Sequence, residues 1–236
     1  SVMGLAWSFF NPVLMLAVYT FFFSVVFKAR WPGGGGSKTE FALVLFAGLL
    51  VFNVFAECVG RAPVLVISNV NYVKKIIFPL EILPFVSLGT AGFHFLINFS
   101  VWFLFSIFIM GPPSIQIMCF PLILLPFVML VLGISWILAS LGVYLRDVGQ
   151  VVSVSIPVIM FLSPIFFPIT ALPSEYHFIF KINPLTFVIE QSRDVLLWNK
   201  GLSWLGWSKH MFGATLFAWV GYCWFQKTRK GFADVL

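Results

Sequence analysis

The sequence predicts an all-α membrane protein of six transmembrane helices, and three observations predict it. Hydrophobic residues make up 61% of the 236 and charged residues only 9%, with a mean hydropathy of +1.03. A soluble domain is about 45–50% apolar and about 25% charged, so these few charges cannot cover a water-facing surface. The apolar residues also fall in runs near the roughly 20 residues a helix needs to cross a bilayer core. Finally, the runs lack the polar–apolar alternation of barrel strands, and backbone in lipid must be satisfied within a helix or a closed barrel.

The first run, residues 5–27, carries no charge and is interrupted only by Asn11-Pro12. It starts almost at residue 1, which is Ser, so a cytosolic segment is expected to precede it. A basic n-region is lacking and the run is too long for a signal peptide. A polar hinge, 28–40, contains four consecutive glycines, Gly33 to Gly36. Run two covers 41–59 with Glu57 near its far end, followed by a polar stretch, 61–81. Run three covers 82–110 and ends in the turn Gly111-Pro112-Pro113. Run four, 115–144, ends at Arg146-Asp147, and run five, 151–167, closes on Ser163-Pro164-Ile165-Phe166-Phe167-Pro168. Residues 169–200 are mixed in polarity, with apolar pieces at 178–182 and 185–189 too short to span, as in interfacial or re-entrant helices. Run six covers 211–225, with an alternative start as early as Leu202 through the belt of Trp204 and Trp207. The whole chain reads as one transmembrane domain, 1–236.

Six spans place both termini on one side, and the tail cluster Lys227, Arg229 and Lys230 marks that side as cytoplasmic. Arg61, Lys74, Lys75 and Arg146 then lie inside. Lys28, Arg30, Lys38, Lys181, Arg193, Lys200 and Lys209 lie outside, so the two sides divide the basic residues evenly and the tail orients the chain. The net charge of +6 reads as membrane orientation and not as nucleic-acid binding.

Sites of chemistry are sparse. The stretch from Pro32 through Gly33–Gly36 and Ser37 to Lys38 has Ser where a phosphate-binding loop needs Gly before the Lys, and Pro where it needs the first Gly. His94, His177 and His210 lack metal-ligand spacing, and Cys58, Cys119 and Cys223 read as small buried hydrophobes. Neither a catalytic residue nor a metal site is expected. Glu57 and Arg61 are spaced as an i,i+4 interfacial pair. The 30 Phe, 9 Trp and 5 Tyr suit interfacial belts or lipid-facing surfaces. They also suit a conduit on which sugar rings slide: Trp7, Phe10, Tyr19 and Phe22 in run one, and Phe161, Phe166 and Phe167 in run five. The composition by itself favours the first reading. The basic amphipathic stretch around Lys74, Lys75 and Phe78 is either a loop drawn to anionic headgroups or a short helix pressing on a cytosolic partner.

Several stretches, in order, resemble the membrane subunit of type-2 ABC exporters of the polysaccharide branch. They are Gly4-Leu5-Ala6-Trp7 with Asn11-Pro12, Val73-Lys74-Lys75 through Phe78-Pro79 to Leu83-Pro84, and Tyr144-Leu145-Arg146-Asp147-Val148. The series continues with Ser163-Pro164, Asn183-Pro184-Leu185 and Arg193-Asp194-Val195-Leu196. The resemblance implies a six-span permease subunit that homodimerises on two copies of a cytosolic ATP-binding subunit, which would hold ATP and Mg. This chain itself would carry no cofactor and no enzymatic activity. A cytoplasmic coupling helix would lie at 68–78, including Asn71, Tyr72, Val73, Lys74, Lys75 and Phe78, and Arg146 and Asp147 would form a cytoplasmic gate or structural pair. Two re-entrant helices would precede the last span, in the region of Ser163, Pro164, Asn183, Pro184, Arg193 and Asp194. Runs one and five would line the path, which raises the conduit reading of the aromatic residues. The amphipathic interface helix that the resemblance implies upstream would be absent here or reduced to residues 1–3. The expected activity is export of a lipid-linked polysaccharide such as O-antigen across the bacterial inner membrane. Alternatives are a drug or small-lipid exporter of the same class, an ATP-independent channel or secondary transporter, and an intramembrane enzyme.

Overall fold

The computed structural model describes residues 10, 13–18, 20–21, 31, 38–74 and 78–236. Among them every regular element is helical. The helices after residue 37 are α1 (Lys38–Arg61), α2 (Val70–Lys74), α3 (Leu83–Met110), α4 (Phe120–Tyr144), α5 (Val148–Phe161), α6 (His177–Ile182), α7 (Pro184–Leu196), α8 (Trp204–Thr228) and α9 (Phe232–Val235). Trp7, Tyr19, Phe22 and Lys75 lie outside the described residues.

Among the described residues, three helical segments are long and apolar enough to cross a membrane: Lys38–Val64, Leu80–Met110 and Ile115–Tyr144, of 27, 31 and 30 residues. At about 1.5 Å per residue each exceeds the roughly 30 Å hydrocarbon core. Of the most apolar 18 residues of each, 78% are buried within the protein in the first and only 17% in the second, so α1 is the most enclosed of the three and α3 the most open. Helix α4 starts through Ser114, whose hydroxyl accepts from the Gln116 N–H at 3.2 Å, and carries Pro121 in its first turn, where no intrahelical N–H is needed. Helix α8 has 25 residues but is more polar, with Ser208, Lys209 and His210 in its first half.

Run five departs from the sequence expectation, and run six takes the earlier of its two expected starts. Run five ends as helix at Phe161, at 14 residues shorter than a span, because Pro164 and Pro168 cannot continue the hydrogen-bond ladder. Run six begins at Trp204 and reaches Thr228. Beyond it the basic tail folds back, with Phe232 fully buried and its ring 5.5 Å from Phe225 and 5.9 Å from Tyr144.

The chain forms two compact units. The first comprises Ser1–Phe52, Phe93–Ile123 and Met160–Ser203. Its core holds the first half of α1 and the fully buried Trp102, whose indole N–H donates to the Leu43 carbonyl at 3.0 Å. The rings of Phe95, Phe99, Trp102 and Phe120 pack beside one another at 5.4–6.0 Å.

The second unit comprises Asn53–Gly92, Leu124–Ile159 and Trp204–Leu236. Glu57 and Arg61 form the pair their spacing predicts, at 2.9 Å. Helices α4 and α8 meet backbone to backbone: a Cβ on Gly221 would lie 2.5 Å from the Gly133 carbonyl oxygen, and one on Gly133 would lie 2.9 Å from the Ala218 Cα. Small residues at such a seam allow the close van der Waals approach that drives helix association in membranes, where lipid competes with apolar side chains. At the end of the seam the Tyr144 hydroxyl donates to the Thr228 carbonyl at 2.7 Å.

Gly221→Leu forces these backbones apart and is expected to destabilise the unit by about 1–3 kcal/mol, the usual range for overpacking. Gly89→Leu, whose added carbon meets nothing within 4 Å, is expected to leave stability nearly unchanged. Thermal denaturation of both variants in detergent checks the contrast; equal losses would contradict the seam.

Candidate functional site

In the second unit, residues between α1 and α3 form a knuckle with one apolar and one polar side. Pro63 opens a 3₁₀ turn, Ala62–Val64, and a second turn, Ile67–Asn69, leads into α2. The Asn69 amide donates to the Leu65 carbonyl at 2.8 Å and the Ser68 hydroxyl to the Val64 carbonyl at 2.7 Å, so the turns satisfy their own backbone. Val66 and Leu80 are buried in a core with Leu132, Trp136, Ala139 and Phe225, and Val73 and Phe78 pack against it. Asn71 and Tyr72 face outward, and the Tyr72 ring stacks on Phe78 at 4.7 Å. Lys74 ends α2, and α9 packs against that helix.

The base of the knuckle is fixed at Glu81. Its carbonyl accepts from the Trp136 indole N–H at 3.1 Å, and its carboxylate accepts from Arg229 at 2.7 Å. Partly exposed pairs of this kind contribute about 0–1 kcal/mol, so the buried apolar side holds the knuckle and Arg229 trims it. Arg146 and Asp147 sit exposed in the turn between α4 and α5, where the Asp147 carbonyl accepts from the Gln150 and Val151 N–H groups that start α5.

In the first unit the structure gathers Ser163, Pro164, Asn183, Pro184 and Arg193 around the break that follows α5. Asn183 caps α7, its Oδ1 accepting from the Leu185 N–H at 2.9 Å, with Pro184 at the first helical position. Its amide also reaches back to the Leu162 carbonyl at 3.1 Å and the Ser163 hydroxyl at 2.8 Å. Arg193 is 2% exposed and spends its guanidinium on main-chain oxygens. Nε donates to Val44 of α1 at 3.0 Å, Nη2 to Ile165 at 2.7 Å and Nη1 to Pro164. The Trp31 ring lies over the guanidinium, 4.3 Å from Cζ to centroid. Gly48 makes the room, since a Cβ there would sit 2.5 Å from Nη2. Burial pulls the Arg193 pKa down to about 9, with nearby Glu190 opposing, so the group remains charged at neutral pH.

Of the expected path-lining residues, Phe10 is exposed. Phe161 lies 5.3 Å from the fully buried Phe166, and Phe167 meets Phe180 of α6 edge-on at 5.8 Å. Asp194 points away from the Arg193 brace. Its carboxylate accepts from Lys200 at 3.0 Å and from the Gln191 amide at 3.2 Å. Lys200 is brought there by Asn199, whose φ of 51° is left-handed, a conformation Asn tolerates better than most residues. Sequence reasoning placed Arg193 in a polar connection and missed its burial; the signal available was its helical spacing from Leu185, Val188, Ile189 and Leu196, which puts it on the apolar face of α7.

Apolar helices of these lengths, and a broken segment whose backbone is satisfied from within, define an integral membrane protein of the helical class. The ABC-2 type transporter family matches residues 1–197, and the chain belongs to that family, the membrane-spanning component of such transporters and not the ATPase. An O-antigen export system permease protein RfbA from Klebsiella pneumoniae is 29% identical over 238 residues, covering all of this chain and 88% of that protein. A second Klebsiella pneumoniae RfbA permease is 29% identical over 237 residues, with the same coverage. The RfbA permease of Myxococcus xanthus is 26% identical over 175 residues, 74% of this chain and 65% of that protein.

Arg193→Lys retains the charge but not the planar fork, and is expected to lower stability by about 2 kcal/mol or more, since charge-assisted bonds contribute roughly 1.5–3 kcal/mol each. Thermal denaturation and protease sensitivity between residues 162 and 168 read this out. Unchanged values for both would show that the carbonyl fork does not hold the segment.

Proposed function

We propose that this chain is the membrane-spanning subunit of an ATP-driven exporter that moves a lipid-linked, O-antigen-like polysaccharide across the bacterial inner membrane. The observation that carries the reading is full-length similarity to permeases named for O-antigen export, covering 100% of this chain. On this reading the chain is a six-span homodimer with both termini cytoplasmic, assembled with two copies of a cytosolic ATP-binding subunit that holds ATP and Mg. The helix of residues 13–18, α1, α3, α4, α5 and α8 belong to the six spans, and α6 and α7 are the two re-entrant helices.

The knuckle is the coupling element. Asn71 and Tyr72 on its exposed side, together with the basic pair Lys74-Lys75, meet the partner; its apolar side bears on the core built from α4 and α8. A push on a well-packed element is transmitted as a rigid-body shift, because a close-packed interior has little give. The path runs along residues 5–27 and 151–167, with Trp7, Phe10, Tyr19, Phe22, Phe161 and Phe167 offering ring faces to the glycan, and Phe166, fully buried, backing Phe161 from behind while the lipid anchor stays in the bilayer. Arg146 and Asp147 border its cytoplasmic entrance.

The first test is affinity purification of the tagged chain from its native membranes in mild detergent. An ATPase recovered about one to one is expected, and recovery of the chain alone would sink the exporter reading. Reversing charge with Lys74→Glu and Lys75→Glu together is then expected to leave ATP hydrolysis running while export falls about tenfold or more, since misplaced charge at an interface costs more than the 1.4 kcal/mol that tenfold represents. Normal export in the double variant would remove the knuckle from the coupling route.

A further inference from the structure

Beside the Arg193 brace, within the first unit, a cavity of about 240 Å³ opens among residues that the coupling and path assignments do not use. Trp31, Phe187 and Trp198 supply its aromatic wall, and all three are partly exposed. Glu190, Gln191, Arg193, Asp194 and Lys200 supply its polar side.

The polar groups are held in place before any ligand arrives. The Gln191 side-chain oxygen accepts from the Ser203 N–H at 2.8 Å while its amide donates to Asp194. Lys200 donates to the other Asp194 oxygen, and its own N–H is tied to the Asp194 carbonyl at 2.9 Å. Each carboxylate oxygen keeps a free lone pair, the Gln191 amide keeps one N–H and the ammonium keeps two. Arg193 covers one face of Trp31, whose buried indole N–H has no acceptor among the described residues.

These features select a ligand class. Glu190 and Asp194 balance Lys200 and the Arg193 guanidinium, so the cavity has no net positive charge to hold an anion. The described residues hold no His, Cys, Asp or Glu grouping fit for a metal ion. The volume lies below the roughly 300 Å³ at which drug-sized sites begin, so the occupant is small. An aromatic wall facing alternating donors and acceptors suits a pyranose ring, whose C–H face lies against the electron-rich ring faces and whose hydroxyls each donate and accept.

We propose that this cavity is a subsite for one pyranose ring of a glycan, with Trp198 and Phe187 as the stacking wall and Asp194 and Gln191 as hydroxyl partners. The source of the ring rests on the export reading above, which places residues 169–200 on the periplasmic side. There the subsite holds successive sugars weakly as they leave, which opposes back-sliding of the chain.

The test uses the full chain with its co-purified ATPase in lipid nanodiscs and saturation-transfer NMR. The probes are the methyl glycosides of glucose, galactose, mannose, rhamnose and N-acetylglucosamine, one at a time. At least one is expected to bind, about tenfold more weakly in Trp198→Leu and in Gln191→Leu, with Trp198→Phe restoring most of the loss because the aromatic face returns. Thermal denaturation identifies any variant that has simply unfolded, and the Phe variant keeps the comparison decisive. Silence from every glycoside in a complex that still exports glycan overturns the subsite and leaves the export reading standing. Signals equal in wild type and variants place the sugar elsewhere and also overturn it. If no ATPase co-purifies, the same titration on the chain alone decides the subsite while the export reading falls.

Discussion

A carbonyl that leaves a helix in apolar surroundings must find a donor inside the protein, because lipid offers none. The break after α5 turns the carbonyls of Leu162, Pro164 and Ile165 out of any helix, and two side chains of α7 and its cap answer them. Asn183 covers the first and Arg193 the other two, while Arg193 takes a third oxygen from Val44 in helix α1. The irregular segment, the short helices that follow it and α1 are thereby locked together within one unit. Gly48, the Trp31 ring and the burial of Arg193 all follow from fitting one guanidinium where those carbonyls converge.

The second unit solves a different problem. Its knuckle, 62–82, must be exposed on one side and still be stiff, and it gets stiffness from burial. Val66, Leu80 and the partly buried Val73 and Phe78 lean on Trp136, Phe225 and Phe232, while the Gly133–Gly221 seam keeps the helices beneath them in backbone contact. Charge plays a small part here, since the Arg229–Glu81 pair is partly exposed and water screens it. For a subunit proposed to receive motion from a cytosolic partner, a lever held by packing transmits displacement better than one held by surface ion pairs.

The two arginines illustrate how context decides what a charge does. Arg229 and Arg193 each make a hydrogen bond at 2.7 Å, yet the first sits at an accessible surface and the second is wholly enclosed. Enclosure raises both the penalty for leaving the group unpaired and the value of each bond it makes. That is why the brace, and not the more obvious ion pairs, fixes the local architecture beside the aromatic cavity.

Features set by local pattern were legible in the sequence: the helical membrane class, the long apolar runs, the Glu57–Arg61 pair and the proline-marked turns. Periodicity, run length and i,i+4 spacing depend on near neighbours along the chain. Span ends were less legible, since run five was read through to 167 and its helix stops at Phe161, where Pro164 and Pro168 break the ladder and a distant arginine takes up carbonyls of the segment that follows. The site was legible as a set of motif residues without geometry. Only the tertiary structure decided that Arg193 bonds a carbonyl 149 residues away, that the tail folds back on Phe225, and that Trp31 meets residues 187–200 around a cavity. The reason is physical: a sequence window registers which residues share a helix face, whereas the pairing of a buried polar group depends on which carbonyls the whole chain leaves unsatisfied nearby.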